Sequence, residues 1–68
     1  MNHPPLTDRE LAVVRCISDG LARWKIEEVL NLPNDAVRRV IFRLCERFDC
    51  GMYALPDRVA ERYPDLDI

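Results

Sequence analysis

The 68-residue sequence predicts an all-α fold, a small bundle of three to four helices. Three observations favour this fold class. Apolar residues recur at steps of three and four over most of the chain, which is the period of a helix face. Helix-capping residues precede these stretches, and glycine, asparagine or proline follows them. Apolar residues also make up 49% of the chain, which is enough for a core and argues against disorder.

The first helix is predicted to begin at Thr7, after an N-terminal arm of residues 1–5 whose prolines favour extended backbone. Thr7 and Glu10 match a capping box, in which each side chain satisfies a backbone amide of the other residue. Gly20 ends the helix because it adopts a left-handed conformation at little cost. The apolar positions of this helix are Leu11, Val14, Cys16 or Ile17, and Leu21.

The second helix is predicted over residues 22–30, and Asn31 is the expected turn residue because asparagine tolerates positive φ. Its apolar positions are Trp24 or Ile26, Val29 and Leu30. The third helix is predicted over residues 34–48. Pro33 suits its start, and Asn34 or Asp35 is expected to cap its free amides. Its apolar face consists of Val37, Val40, Ile41, Leu44, Cys45 and Phe48.

The second and third helices, joined by a three-residue turn, have the spacing of a helix-turn-helix. We therefore predict one helix-turn-helix domain over residues 1–68, with its core in residues 6–48. A short C-terminal helix is expected over residues 56–63, because Pro56 suits a first turn and Pro64 stops the helix. An acidic tail, residues 64–68, follows it.

Charge is unevenly distributed along the chain. The third helix holds four arginines against Asp35 and Glu46, which gives +2, whereas residues 1–33 carry −1 and residues 49–68 carry −3. The net charge is therefore −2. This pattern predicts one basic helix on an acidic domain, and weak non-specific affinity for nucleic acid.

The same sequence argues against enzymes, metal sites and membrane spans. The single serine, Ser18, and the single histidine, His3, do not make a catalytic set, and no glycine-rich phosphate loop is present. We therefore expect no catalytic residue, no metal and no cofactor. Cys16, Cys45 and Cys50 have no regular spacing, and free thiols fit a reducing cytosol, so a cytoplasmic location is expected. No apolar run has the length of a membrane span, and no signal peptide is visible.

Several residues resemble one family. The run Leu6–Glu10 (LTDRE), Val13-Val14 and Gly20-Leu21 resemble the opening of the LuxR/GerE-type DNA-binding domain. Further matches to that domain fall at Ile26, Leu30, Ala36-Val37-Arg38, Leu44 and Phe48. The resemblance covers residues 6–48, and the last domain of sigma factors shares much of the pattern. It implies DNA binding in bacterial transcriptional regulation, with the fourth helix as a dimer contact.

Two interpretations are open for the basic side chains. As DNA contacts they would place guanidinium groups at base edges or phosphates in the major groove. The candidates are Arg38, Arg39 and Arg43 of the third helix, with Lys25 and Arg23 of the second. As a solvated surface they would instead form the pairs Arg39–Asp35 and Arg43–Glu46. Arg47 is expected in a surface salt bridge.

The exposed apolar side chains also leave alternatives. The candidate interface residues are Tyr53, Val59, Tyr63 and Phe42. The apolar set after the helix-turn-helix belongs either to a homodimer or docking surface, or packs back on the first helix. Its members are Met52, Tyr53, Leu55, Val59, Tyr63, Leu66 and Ile68. Phe42 would contact a thymine methyl group, contact a partner protein, or fold over the core edge. Trp24 is expected to close the core with one edge exposed.

A second function class is compatible with this composition. The same fold, with an acidic and partly apolar exterior, would serve as a protein-binding module. Such a module would be an antiactivator or adaptor that docks on a regulator or on RNA polymerase, with little DNA affinity.

Overall fold

A computed structural model describes residues 6–66 of the chain. It contains four α-helices and, within those residues, no strand. The helices are α1 (Asp8–Ser18), α2 (Arg23–Leu30), α3 (Asn34–Phe48) and α4 (Leu55–Arg62), and a 3₁₀ turn at Met52–Ala54 precedes α4. The predicted all-α fold class is therefore confirmed. The N-terminal arm and residues 67 and 68 of the acidic tail lie outside the described residues.

Local signals place the ends of α1 where the sequence predicted them. The amide of Glu10 donates to the Thr7 hydroxyl over 3.1 Å, and the amide of Thr7 donates to the Glu10 carboxylate over 2.8 Å. Both halves of the capping box are thus formed. At the other end Gly20 has φ +82°, and the amide of Leu21 reaches back to the carbonyl of Cys16 over 3.1 Å. This six-to-one hydrogen bond is the mark of a Schellman motif.

The same C-terminal motif ends α2 and α3 without glycine. Asn31 and Asp49 both have φ 52° in the left-handed region. The amide of Leu32 donates to the backbone carbonyl of Glu27 over 3.0 Å, and the amide of Cys50 donates to the backbone carbonyl of Cys45 over 3.1 Å. Short polar side chains tolerate this conformation better than most residues. The turn from Asn31 to Pro33 therefore has a defined geometry.

The start of α3 differs from the prediction. Pro33 is its N-cap residue and no side chain caps the helix, so neither Asn34 nor Asp35 satisfies a free amide. The proline itself costs nothing here because its missing N–H would have had no helical partner. The first amides of α3 are left open to solvent or to a ligand.

The core lies between α1 and α3, with α2 and α4 packed against both. No Cα atom of α2 lies within 8 Å of a Cα atom of α4. Eleven side chains form the core: Leu6, Val13, Val14, Cys16, Ile17, Ile26, Val37, Ile41, Leu44, Leu55 and Val59. Because α3 contributes to this core along one side only, its opposite side is held facing outward.

The C-terminal part begins one residue earlier than predicted. The helix α4 starts at Leu55, with Pro56 in its first turn, and ends at Arg62. Leu55 and Val59 are fully buried and pack with α1 and α3. The interpretation in which this apolar set packs back on the first helix therefore describes these two residues.

No helix among residues 6–66 combines the length and the apolar composition that a membrane crossing needs.

Candidate nucleic-acid interface

The outward side of α3 carries a shallow groove of about 430 Å³. Its lining comes from α3 alone: Asp35, Arg38, Arg39, Phe42, Arg43 and Glu46. Val37, Ile41 and Leu44 are buried on the other side, so the rotation of α3 about its axis is fixed. The structure thus brings together the three arginines that the sequence singled out.

The guanidinium groups of Arg38, Arg39 and Arg43 are available to a ligand. All three residues are exposed, and none forms a side-chain hydrogen bond, ion pair or ring contact with another of residues 6–66. The pairs Arg39–Asp35 and Arg43–Glu46 are not formed. An open guanidinium offers a planar fork of N–H donors that matches phosphate, carboxylate or the guanine edge.

Phe42 is the apolar residue among those that line this groove. Its residue is 66% exposed and it does not belong to the core or to the apolar residues packed on it. The interpretation in which it folds over the core edge is therefore wrong. Because the ring shares this groove with the unpaired guanidinium groups of Arg38, Arg39 and Arg43, the surface has both an apolar and a cationic component.

Arg47 has a different environment from the other arginines of α3. Its Nη2 donates to the hydroxyl of Tyr63 over 2.9 Å, and its guanidinium carbon lies 5.3 Å from the centroid of the Phe48 ring. The Phe48 and Tyr63 rings meet edge to face at 6.3 Å. The expected salt bridge of Arg47 is absent within the described residues, and a contact between α3 and the residue after α4 replaces it.

The basic residues of α2 lie near its first turn. Arg23 is the first residue of the helix and is exposed, whereas Lys25 is half-buried with its Nζ 6.0 Å from the centroid of the Trp24 ring. The first turn holds no acidic residue, and Ala22 provides no side-chain cap. Open amides and positive side chains at a helix start favour an anion. Neither residue lines the α3 groove.

The four candidate interface residues do not form one surface. Val59 is fully buried, so its side chain is not available to a partner of the folded chain. Tyr63 is half-buried and its hydroxyl is engaged by Arg47. Tyr53 is 66% exposed beside α4, and Phe42 lies in the α3 groove. The dimer contact that the resemblance implied on the fourth helix therefore cannot use the side chain of Val59.

Sequence reasoning misplaced two apolar side chains of α2. Trp24 is 65% exposed and Val29 is 54% exposed, whereas Ile26 is fully buried. Trp24 does not close the core. The signal was present in the sequence, because positions three and four after Trp24 are both glutamates, Glu27 and Glu28. A helical residue without apolar residues at those steps does not belong to an apolar face of the helix.

Two of the thiols are held in their neutral form. Burial, and then the nearby Asp19 carboxylate, raises the pKa of Cys16 above its ordinary value of 9.0. Burial, and then the neighbouring Cys50, raises the pKa of Cys45 in the same direction. Nucleophilic and metal-binding cysteines need the thiolate, which these environments disfavour. Among residues 6–66 no group of three or more histidine, cysteine or acidic residues is arranged to hold a metal ion.

Comparisons of this chain with protein-family models, curated proteins and solved structures find no significant match. The resemblance to the LuxR/GerE-type domain is therefore carried by the motif residues of the sequence alone.

Proposed function

We propose that this domain binds double-stranded DNA and regulates transcription in a bacterium, with α3 as the helix that enters the major groove. The observation that carries the proposal is the open guanidinium set of Arg38, Arg39 and Arg43 on one outward helix side. A major groove about 12 Å wide admits an α-helix. Arginine makes the commonest specific contact there, a bidentate bond to guanine.

The size and mounting of α3 support this role. Its 15 residues span roughly 22 Å at 1.5 Å per residue, which is enough to follow several base pairs. Its buried side is anchored on α1, α2 and α4, so the arginines are presented on a fixed element. A rigid mount lowers the ordering cost of binding. Arg23 and Lys25 at the start of α2 would add phosphate contacts.

The acidic groups set a limit on affinity. Asp35 and Glu46 lie in the same groove as the arginines and repel phosphate. At a base edge, however, a carboxylate accepts a hydrogen bond from the amino group of cytosine. With a net charge of −2 we expect weak non-specific binding and a strong dependence on sequence.

The proposal is tested by measuring affinity for random-sequence and selected duplex DNA between about 50 and 200 mM salt, by fluorescence anisotropy. The test variant carries Arg38→Ala, Arg39→Ala and Arg43→Ala together. Its matched control carries Arg9→Ala, Arg58→Ala and Arg62→Ala, because these three arginines are also exposed and lie outside the groove. Both variants have the same net charge.

The wild-type chain should bind with a steep salt dependence. The α3 variant should lose about one unit of the logarithmic salt slope for each of its three arginines that contacts a phosphate rather than a base edge, while the control keeps most of its slope. Arg39→Ala alone should weaken binding by about 1–3 kcal/mol if it contacts a base edge. Absence of binding at the lowest salt, or an equal loss in both triple variants, would end the proposal. The mass of the complex would show whether one or two copies bind.

A second function rests on a separate observation. Trp24, Val29 and Tyr53 are large, apolar and exposed outside the α3 groove. Aromatic residues of this kind anchor protein interfaces. A protein-binding module that docks on a regulator or on RNA polymerase would show no DNA affinity at low salt but a stable complex with such a protein. Trp24→Ala should then weaken that complex.

A further inference from the structure

We propose that Phe42 reads thymine through its C5 methyl group when α3 lies in the major groove. This inference rests on the proposed DNA binding and adds to it the kind of base that the apolar part of the site recognises. It also gives Phe42 a role that differs from that of the arginines around it.

The position of the ring supports this role. Phe42 follows Arg38 by four residues and Arg39 by three, so all three lie on one helix side about one turn apart. One turn is roughly 5.4 Å, whereas stacked bases are separated by roughly 3.4 Å. A ring at this spacing reaches the base pair next to those that the two arginines contact, or one pair further along.

The chemistry of the ring limits what it can recognise. A phenyl group has no hydrogen-bond donor or acceptor, so it gains nothing from phosphate oxygens or from the polar base edges. The major-groove surface of a base pair offers one apolar substituent, the C5 methyl of thymine. Contact between that methyl and the ring removes apolar surface of both from water.

The surroundings of Phe42 argue against insertion of the ring between base pairs. Wedging between base steps occurs from the minor groove, which is about 6 Å wide and does not admit a helix. Phe42 lies in the middle of a 15-residue helix rather than on a loop or at a tip. The ring therefore meets the base edges from the major-groove side.

The experiment uses thymine and uracil, which have the same hydrogen-bonding edge and differ by this methyl group. Sites are first selected by the wild-type chain from a random duplex library that contains thymine. The enriched duplexes are then made again with uracil in place of thymine. Affinity for each pair is measured for the wild type, Phe42→Ala and Tyr53→Ala. Tyr53 is the matched control, because it is equally exposed at 66% and lies outside the groove.

For the wild type we expect affinity about fourfold lower for the uracil duplex, for each methyl group that the ring contacts. Phe42→Ala should bind the two duplexes equally and keep the wild-type salt slope. Tyr53→Ala should behave like the wild type. Circular dichroism would check that the variants keep their helix content, which is expected because the substituted side chains are exposed.

Two failures are distinguishable. Salt-dependent binding by the wild type with equal affinity for thymine and uracil duplexes would overturn the inference and leave DNA binding in place. Retention of the thymine preference by Phe42→Ala would overturn it in the same way. Absence of salt-dependent binding to any duplex would overturn the proposed function and this inference together. The comparison of duplexes by the wild type does not depend on the folding of any variant.

Discussion

Arg43 and Arg47 are one helical turn apart on α3, yet the structure gives them opposite environments. Arg43 lies in the open groove and has no side-chain partner among the described residues, whereas Arg47 donates to Tyr63 and lies over Phe48. The two residues have the same chemistry and the same local backbone. What differs is whether a later segment of the chain comes within reach. The charge of a helix is therefore a poor guide to which of its cations are available.

The two sides of α3 show a similar contrast. Val37, Ile41 and Leu44 hold the helix in place through burial, and the groove residues opposite them contribute little to the fold. Each of these contrasts can be tested by substitution.

The largest effect is expected on the buried side. Leu44→Ala removes a fully buried side chain and should lower the free energy of unfolding by about 2–5 kcal/mol. A domain of this length has a total free energy of unfolding of roughly 3–10 kcal/mol, so a substantial unfolded population of the variant is expected. Thermal denaturation followed by circular dichroism measures this. Phe42→Ala on the opposite side should change stability by no more than about 0.5 kcal/mol. Similar losses in the two variants would contradict the assignment of the two sides.

The next effect separates the two arginines. Arg43→Ala should weaken DNA binding and reduce the logarithmic salt slope by about one unit, with little change in stability. Arg47→Ala should leave the salt slope nearly unchanged and lower stability instead, because it loses contacts to Tyr63 and Phe48. Anisotropy titrations and denaturation curves of both variants make the comparison. Equal salt slopes in the two variants would show that their different environments have no bearing on binding.

A smaller effect isolates the hydrogen bond that holds Arg47. Tyr63→Phe removes the hydroxyl that accepts from Arg47 and keeps the ring that meets Phe48 edge to face. Because Arg47 is exposed and water can replace the acceptor, we expect a loss of up to about 1 kcal/mol. Urea denaturation measures it. In the Arg47→Ala background the same change should cost less, and an unchanged cost would show that the hydrogen bond is not what stabilises this contact.

The smallest effect is a pH dependence from the core. The folded chain holds the proton of Cys16 more tightly than the unfolded chain, since burial raises its pKa above 9.0. Stability is therefore unaffected by this group below about pH 9 and falls as the pH rises through the folded-state pKa. The slope is at most about 1.4 kcal/mol per pH unit for one group. Denaturation of wild type and Cys16→Ala is compared from about pH 8 upward, since the decline begins near the ordinary thiol pKa of the unfolded chain. The variant should show a shallower decline. Parallel profiles would contradict the assignment.

The sequence by itself determined the helices. The capping box at Thr7, the left-handed Gly20 and Asn31, and the periodic apolar stripe of α3 are local features, and each acts within a few residues. It also determined the outward direction of Arg38, because the helical period places this residue on the side of α3 opposite the apolar face.

The tertiary structure decided which side chains have partners. It put Val59 in the core and brought Tyr63 to Arg47 across a separation of 16 residues. Neither outcome follows from a local pattern, since both depend on which surface α1 and α3 leave open for the last helix. Burial is a property of the assembled helices. The availability of the α3 arginines was therefore decided only by the packing of all four helices.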